Sequence, residues 1–150
     1  TTPPKTLTVE GDISASGVIE GFNKTKVISP AGNVQLQVSS SGAIVVPSGG
    51  ARTITLPHVA SSSGVHFRIF AGSAHAHIIS ASNTSVANNK MYGQAIDLSN
   101  ASTIVGAQIT AAHKITLANG KIGDRIDIVG DGTNWYVDAH LNDTPAIVTS

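Results

Sequence analysis

Short apolar runs closed off by turn residues recur along this chain, and no segment carries the longer apolar period of a packed helix. Val34 to Val38, Ala43 to Val46, Thr53 to Leu56, Val65 to Phe70 and Ala76 to Ile79 are followed by Thr103 to Val105, Lys114 to Leu117, Asp124 to Val129 and Trp135 to Ala139. Each has the length, the β-branched content and the flanking Gly, Asn, Asp, Ser or Pro of a strand. Alternation assigns the faces: Val65, Phe67 and Ile69 share one side against His66, Arg68 and Phe70, and Ile126 and Ile128 stand opposite Arg125 and Asp127. Asn119-Gly120 and Gly130-Asp131-Gly132 tolerate the positive φ of tight hairpin turns, so the last third reads as a β-hairpin. Only Asn88 to Ser99 is compatible with a short helix, and Gly93 in its middle limits that to a turn or two. Parallel α/β architecture is excluded on this reading, because its crossovers need helices of about ten or more residues. The expected fold is all-β, a compact antiparallel β-sandwich or barrel-like domain.

A length of 150 residues supports one modest core. With one Trp, two Tyr and three Phe, that core must be built from Ile, Val, Leu and Ala, which suits thin β layers. The start is different in kind. Pro3 and Pro4 favour extended backbone, and from Leu7 to Gly21 closely spaced glycines separate short apolar pairs that bury little by themselves. Residues 1–26 are therefore expected to be an N-terminal arm that is ordered by a neighbouring surface, and residues 27–150 a β-rich core domain. An internal echo runs through that core: Arg52 to Leu56 followed by Phe67 to Gly72 resembles His113 to Leu117 followed by Asp124 to Gly130, which would give two similar hairpins facing each other.

Nine Lys and Arg balance nine Asp and Glu, so no basic excess steers the chain to nucleic acid. The absence of cysteine removes disulfides and zinc-thiolate sites. No apolar run approaches the ~20 residues that cross a bilayer, and residues 1–20 lack a signal-peptide pattern, so no membrane partner is expected.

The densest chemical constellation is His75-Ala76-His77. On a strand the two imidazoles would share a face roughly 6.7 Å apart, within reach of one metal ion if the side chains converge, the alternative being two polar residues on a solvated strand. A cupin-type site would add a glutamate a few residues on, where Ala81 and Ser82 stand; three copies around an axis could instead supply three His-x-His pairs. No nucleophile elbow, phosphate-binding loop or His-Glu-x-x-His helix is present, and no catalytic residue or cofactor is expected. A carboxylate pair for glycoside hydrolysis could be drawn from Asp97, Asp124, Asp127, Asp131 and Asp138, but Asp124 and Asp127 flank Arg125 and Asp131 sits in a turn, which favours structural roles. Trp135-Tyr136 reads as a hairpin anchor more readily than as a sugar-stacking platform. The four Asn-x-Ser/Thr sites at Asn23, Asn83, Asn100 and Asn142 read as chance matches in a chain rich in these residues.

The segment Leu7-Thr8-Val9-Glu10-Gly11-Asp12-Ile13-Ser14-Ala15-Ser16-Gly17 resembles stretches of tailed-bacteriophage virion proteins found in tail fibres and in head decoration or head fibre proteins. Gly123 to Val137, with Ile126, Ile128, Asp131-Gly132 and Trp135-Tyr136-Val137, is similar to the closing hairpin of such modules. The resemblance implies a homotrimer on the outer surface of the capsid, a decoration (cement) protein whose arm lies over the major capsid protein. Leu7, Val9, Ile13, Val18, Ile19 and Phe22 are then the apolar capsid-binding residues. An alternative implied by the same resemblance is a tail-fibre or head-fibre module that binds a host surface glycan through Ser80 to Asn89 and Trp135-Tyr136. Some fibres of this kind carry a Gly-x-His-x-His metal motif on their threefold axis; here Ser73 stands where that glycine would be. A small sugar-active enzyme using paired aspartates is the reading from a different class.

Overall fold

The computed structural model describes residues 25–81, 89–99, 105–117, 120–142 and 146–148. The chain is all-β, with twelve described strands in two sheets: β1 Val27–Ile28, β2 Val34–Gln35, β3 Ile44–Val45, β4 Thr53–Thr55, β5 His66–Phe70, β6 His77–Ser80, β7 Met91–Asp97, β8 Val105–Ala112, β9 Lys114–Leu117, β10 Arg125–Gly130, β11 Trp135–Leu141 and β12 Ala146–Val148. The larger sheet has the order β1-β3-β5-β10-β11-β7-β8, and the smaller the order β12-β9-β6-β4-β2.

The first six strands alternate between the sheets, odd-numbered in the larger and even-numbered in the smaller, and β3 to β6 each pair in parallel with the strand two before. The chain therefore winds as a flattened coil. Coil stacking continues beyond the strands proper, because the amide of Leu36 donates to Thr55 O, that of Leu56 to Ser80 O and that of Gly72 to Pro47 O. The expectation of an antiparallel sandwich is corrected here: the sheets are mixed. Parallel pairs arise here without the helical crossovers of α/β architecture, because a strand of the opposite sheet carries the chain back.

The second half closes the coil at one end. β10 lies antiparallel to β5 and β9 antiparallel to β6, while β10 and β11 form the hairpin read from the sequence. The two echo units correspond to β4–β5 and β9–β10, but neither is a hairpin, since each crosses from the smaller sheet to the larger. At the other end both sheets finish in two-residue strands, β1 and β2.

Cross-strand register explains how so few aromatics suffice. Val34, Ile54, Ile79 and Ile115 stand in one row across four strands of the smaller sheet. Facing them, Val45, Ile69, Ile126, Ala139 and Ala95 form a row across the larger sheet. Fully burying each Ile or Val contributes roughly 1.5–3 kcal/mol relative to exposure, and aligned β-branched chains pack along the pleat without voids. Trp135 and Phe67 complete the same core.

The segment compatible with a helix is strand β7. Its buried Met91 and Ala95 alternate with outward Tyr92, Gln94 and Ile96, and Gly93 has φ +148°, which allows β7 to approach β11 closely. Opposite Tyr92, Thr110 and Ala111 form a β-bulge with Ala111 at φ 51°. Among the described residues no helix is long and apolar enough to cross a membrane.

Candidate functional site

The His75/His77 pair does not form the strand-face site that its spacing predicts. β6 begins at His77, and His75 lies exposed in the preceding bend. The rings meet edge-on at 6.5 Å between centroids. His77 is completely buried, with Nε2 3.2 Å from Ser73 O. That contact makes the Nε2–H tautomer the natural one and uses the imidazole to pin the bend. A side chain enclosed in its own protomer cannot turn toward an axis between copies without opening the bend. Among the described residues no three His, Cys, Asp or Glu side chains gather into a metal-binding group.

Burial holds His77 below the ordinary histidine value, helped by the neighbouring His75 and Arg52 and opposed by the Ser73 carbonyl. His113, buried beside Lys90, is lowered by the same desolvation and by the ammonium. The unfolded chain therefore binds more protons than the folded one once the pH drops below 6.5, so stability present above that value is lost on acidification. The thermal midpoint is expected to fall by several degrees between pH 7 and pH 5, with the loss reduced in the His77→Gln/His113→Gln double variant. Calorimetry across that range checks it; a midpoint that stays level would show that these imidazoles are not held neutral.

A more developed site lies on the outer face of the larger sheet. Register places Ile44, Arg68, Asp127, Asp138, Gln94 and Gln108 in one row across six strands. Beside it run His66, Val129, Tyr136 and Tyr92. Two adjoining depressions of about 580 and 660 Å³ share Gly93, Val137 and Asp138 and form one trough along these rows. Arg68 Nε donates to Asp127 Oδ1 at 2.6 Å, and Arg125 Nε lies 3.1 Å from Asp127 Oδ2. Asp138 accepts from Gln94 Nε2 at 3.5 Å and lies 3.4 Å from His140 Nε2. Tyr136 donates its hydroxyl to Asp131 Oδ2 at 3.1 Å, which raises the phenol above its ordinary value. Asp131 is in turn held below the carboxylate range by the backbone N–H groups of Asn134 and Thr133.

The residues singled out from the sequence scatter relative to this trough. Leu7, Val9, Ile13, Val18, Ile19 and Phe22 lie outside the described residues, as does most of Ser80 to Asn89. Trp135 is a core anchor, while Tyr136 faces out. Of the five aspartates, Asp124 is buried as a clamp, Asp131 caps its turn, Asp97 accepts from Ser99 N at 2.8 Å, and only Asp127 and Asp138 meet, directly across β10 and β11. The sequence does not single out Tyr92 and Gln94 as site residues, because Asn88 to Ser99 is compatible with a helix of a turn or two; the alternation of Met91 and Ala95 with Tyr92, Gln94 and Ile96 is the available signal. Compared with known proteins, the chain matches no family model and no curated protein, so its reading rests on sequence and geometry.

Proposed function

We propose that this chain is a non-catalytic capsid decoration protein of a tailed bacteriophage, binding the outer head surface as a homotrimer through residues 1–26 and the adjoining end of the coil. The observation that carries the reading is the end of the coil that is open among the described residues. There, both sheets finish in two-residue edge strands, Val27 is 58% exposed, and Thr25, the first described residue, precedes β1 directly. Stacked coils need a polar cap or a partner at each end, and an uncapped sheet edge is a template for an added strand. The opposite end of the coil is already covered by β9 and β10. A strand added at β1 or β2 by a capsid subunit would gain main-chain hydrogen bonds, the apolar residues of the arm would add burial, and three arms on one trimer would multiply weak contacts into a stable attachment. The resemblance of residues 7–17 to phage virion proteins supports the choice of partner.

The test is co-sedimentation with undecorated phage heads, comparing the full chain with a chain lacking residues 1–24, while light scattering and circular dichroism monitor assembly and fold. The full chain is expected to sediment with heads as a trimer, and the truncated chain to stay folded yet lose at least about tenfold in affinity, as expected when a strand-adding segment is removed. A folded full-length trimer that ignores heads would overturn the proposal.

A further inference from the structure

We infer that the trough on the outer face of the larger sheet is a binding site for a neutral carbohydrate chain, with Tyr92 and Tyr136 as its stacking platform and Asp127, Asp138, Gln94 and Arg68 as its hydrogen-bonding floor. This goes beyond the assembly reading and does not depend on what the open end of the coil binds.

Three features carry it. The first is shape. The two depressions are continuous, and the row from Ile44 on β3 to Gln108 on β8 crosses six strands, a span of about 24 Å at ordinary strand spacing. An open trough of that length along a sheet face fits an extended chain of rings better than a single small molecule, for which sites are normally more enclosed.

The second is the aromatic pair. Tyr136 and Tyr92 occupy the same register position on adjacent parallel strands, and Tyr136 is 45% exposed. Its ring is oriented before any ligand arrives, because the hydroxyl is tied to Asp131, itself fixed by the amides of its turn. An amphipathic ring with its face free and its polar tip satisfied is suited to the C–H face of a pyranose, and prior ordering reduces the entropy lost on binding.

The third is charge. Arg68 and Arg125 both lie against Asp127, and Asp138 is contacted by Gln94 and His140. Among the described residues no cation stands unopposed along the row, so the row has no strong attraction for sulfated or sialylated chains. The fixed carboxylate, amide and guanidinium groups still offer acceptors and donors in the plane of the sheet, the pairing that vicinal hydroxyls require.

The experiment is saturation-transfer and 15N-resolved NMR on the full chain with maltohexaose, cellohexaose, mannan and galactan as neutral probes and heparin as the acidic one. At least one neutral probe is expected to bind and to shift the amides of Tyr92, Gln94 and Tyr136. Tyr136→Ala and Tyr92→Ala should each weaken that binding about tenfold, with Tyr136→Phe retaining most of it, because the ring face and not the hydroxyl makes the contact. Both tyrosines face outward, so the variants are expected to keep the wild-type fold by circular dichroism. Binding of heparin alone, binding unaffected by both alanine variants, or no binding by any neutral probe would overturn the inference. So would light scattering that shows Tyr136→Ala dissociating an oligomer, since the trough would then be an interface between copies.

Discussion

Gly93→Ala is expected to lower the unfolding free energy by about 3 kcal/mol or more, because neither the backbone conformation nor the space permits a side chain. A Cβ built at this position would lie 1.9 Å from Val137 O and 2.8 Å from Val137 C, backbone atoms of the paired strand β11 that cannot swing aside. The φ of +148° adds conformational strain for any L side chain. Relief would require β7 to move away from β11, disrupting the parallel ladder from Trp135–Met91 to Leu141–Asp97 and the trough above it. Gly106→Ala on the neighbouring strand is the control: nothing lies within 4 Å of its would-be Cβ, so its effect should stay within about 1 kcal/mol. Urea denaturation of the two variants decides the matter. Similar midpoints would mean that β7 and β11 are not packed as closely as described.

Asp124→Ala should be comparably damaging, by about 3 kcal/mol, through lost hydrogen bonds rather than through a clash. The carboxylate is almost fully buried, and it accepts from Lys121 N at 2.8 Å, Asn142 N at 2.9 Å and Asn142 Nδ2 at 2.8 Å. It thereby ties the turn before β10 to the end of β11, and its own carbonyl accepts from Ala71 N at 2.9 Å just beyond β5. Alanine leaves those three N–H groups without their acceptor at a position that is itself buried, although the donors belong to Lys121 and Asn142 at the surface; a buried donor left unpaired costs roughly 1–3 kcal/mol. Asp131→Ala removes a carboxylate that also bonds two backbone amides, but in an exposed turn where water can replace it, so a clearly smaller loss is expected. Equal losses for the two aspartates in thermal or urea unfolding would contradict the clamp role assigned to Asp124.

Much of the strand inventory was legible. The alternation in Val65 to Phe70 and Asp124 to Val129 identifies both the strands and their buried faces, since a period of two is a local property of extended backbone. The β10–β11 hairpin is equally local: Gly130-Asp131-Gly132 supplies its turn, with Asp131 capping the amides as the residue type implies. Residues 91–97 lie within the segment compatible with a short helix because a glycine amid Met, Tyr, Gln and Ala leaves the local signal weak; what makes them a strand is pairing with β11, more than forty residues away. The same limit applies to His75 and His77. Their spacing describes a strand face, but the strand starts only at His77 because its ladder to β9 begins there.

By itself, then, the sequence determined the all-β class, the positions of most strands, the inward side chains and the β10–β11 turn, but not Asn119-Gly120 as a hairpin turn, since β9 and β10 lie in different sheets; what it determined follows from alternation and from residue-specific φ preferences within a few positions. Only the tertiary structure decided that β1 to β6 wind between two sheets in parallel, that Arg68, Asp127, Asp138 and Gln94 line up across four strands, and that Tyr92 stands beside Tyr136. Those relations are set by which strands share hydrogen bonds and in what register. Register is fixed by burial of the Ile, Val and Ala rows against one another, a collective choice that no local stretch of chain contains.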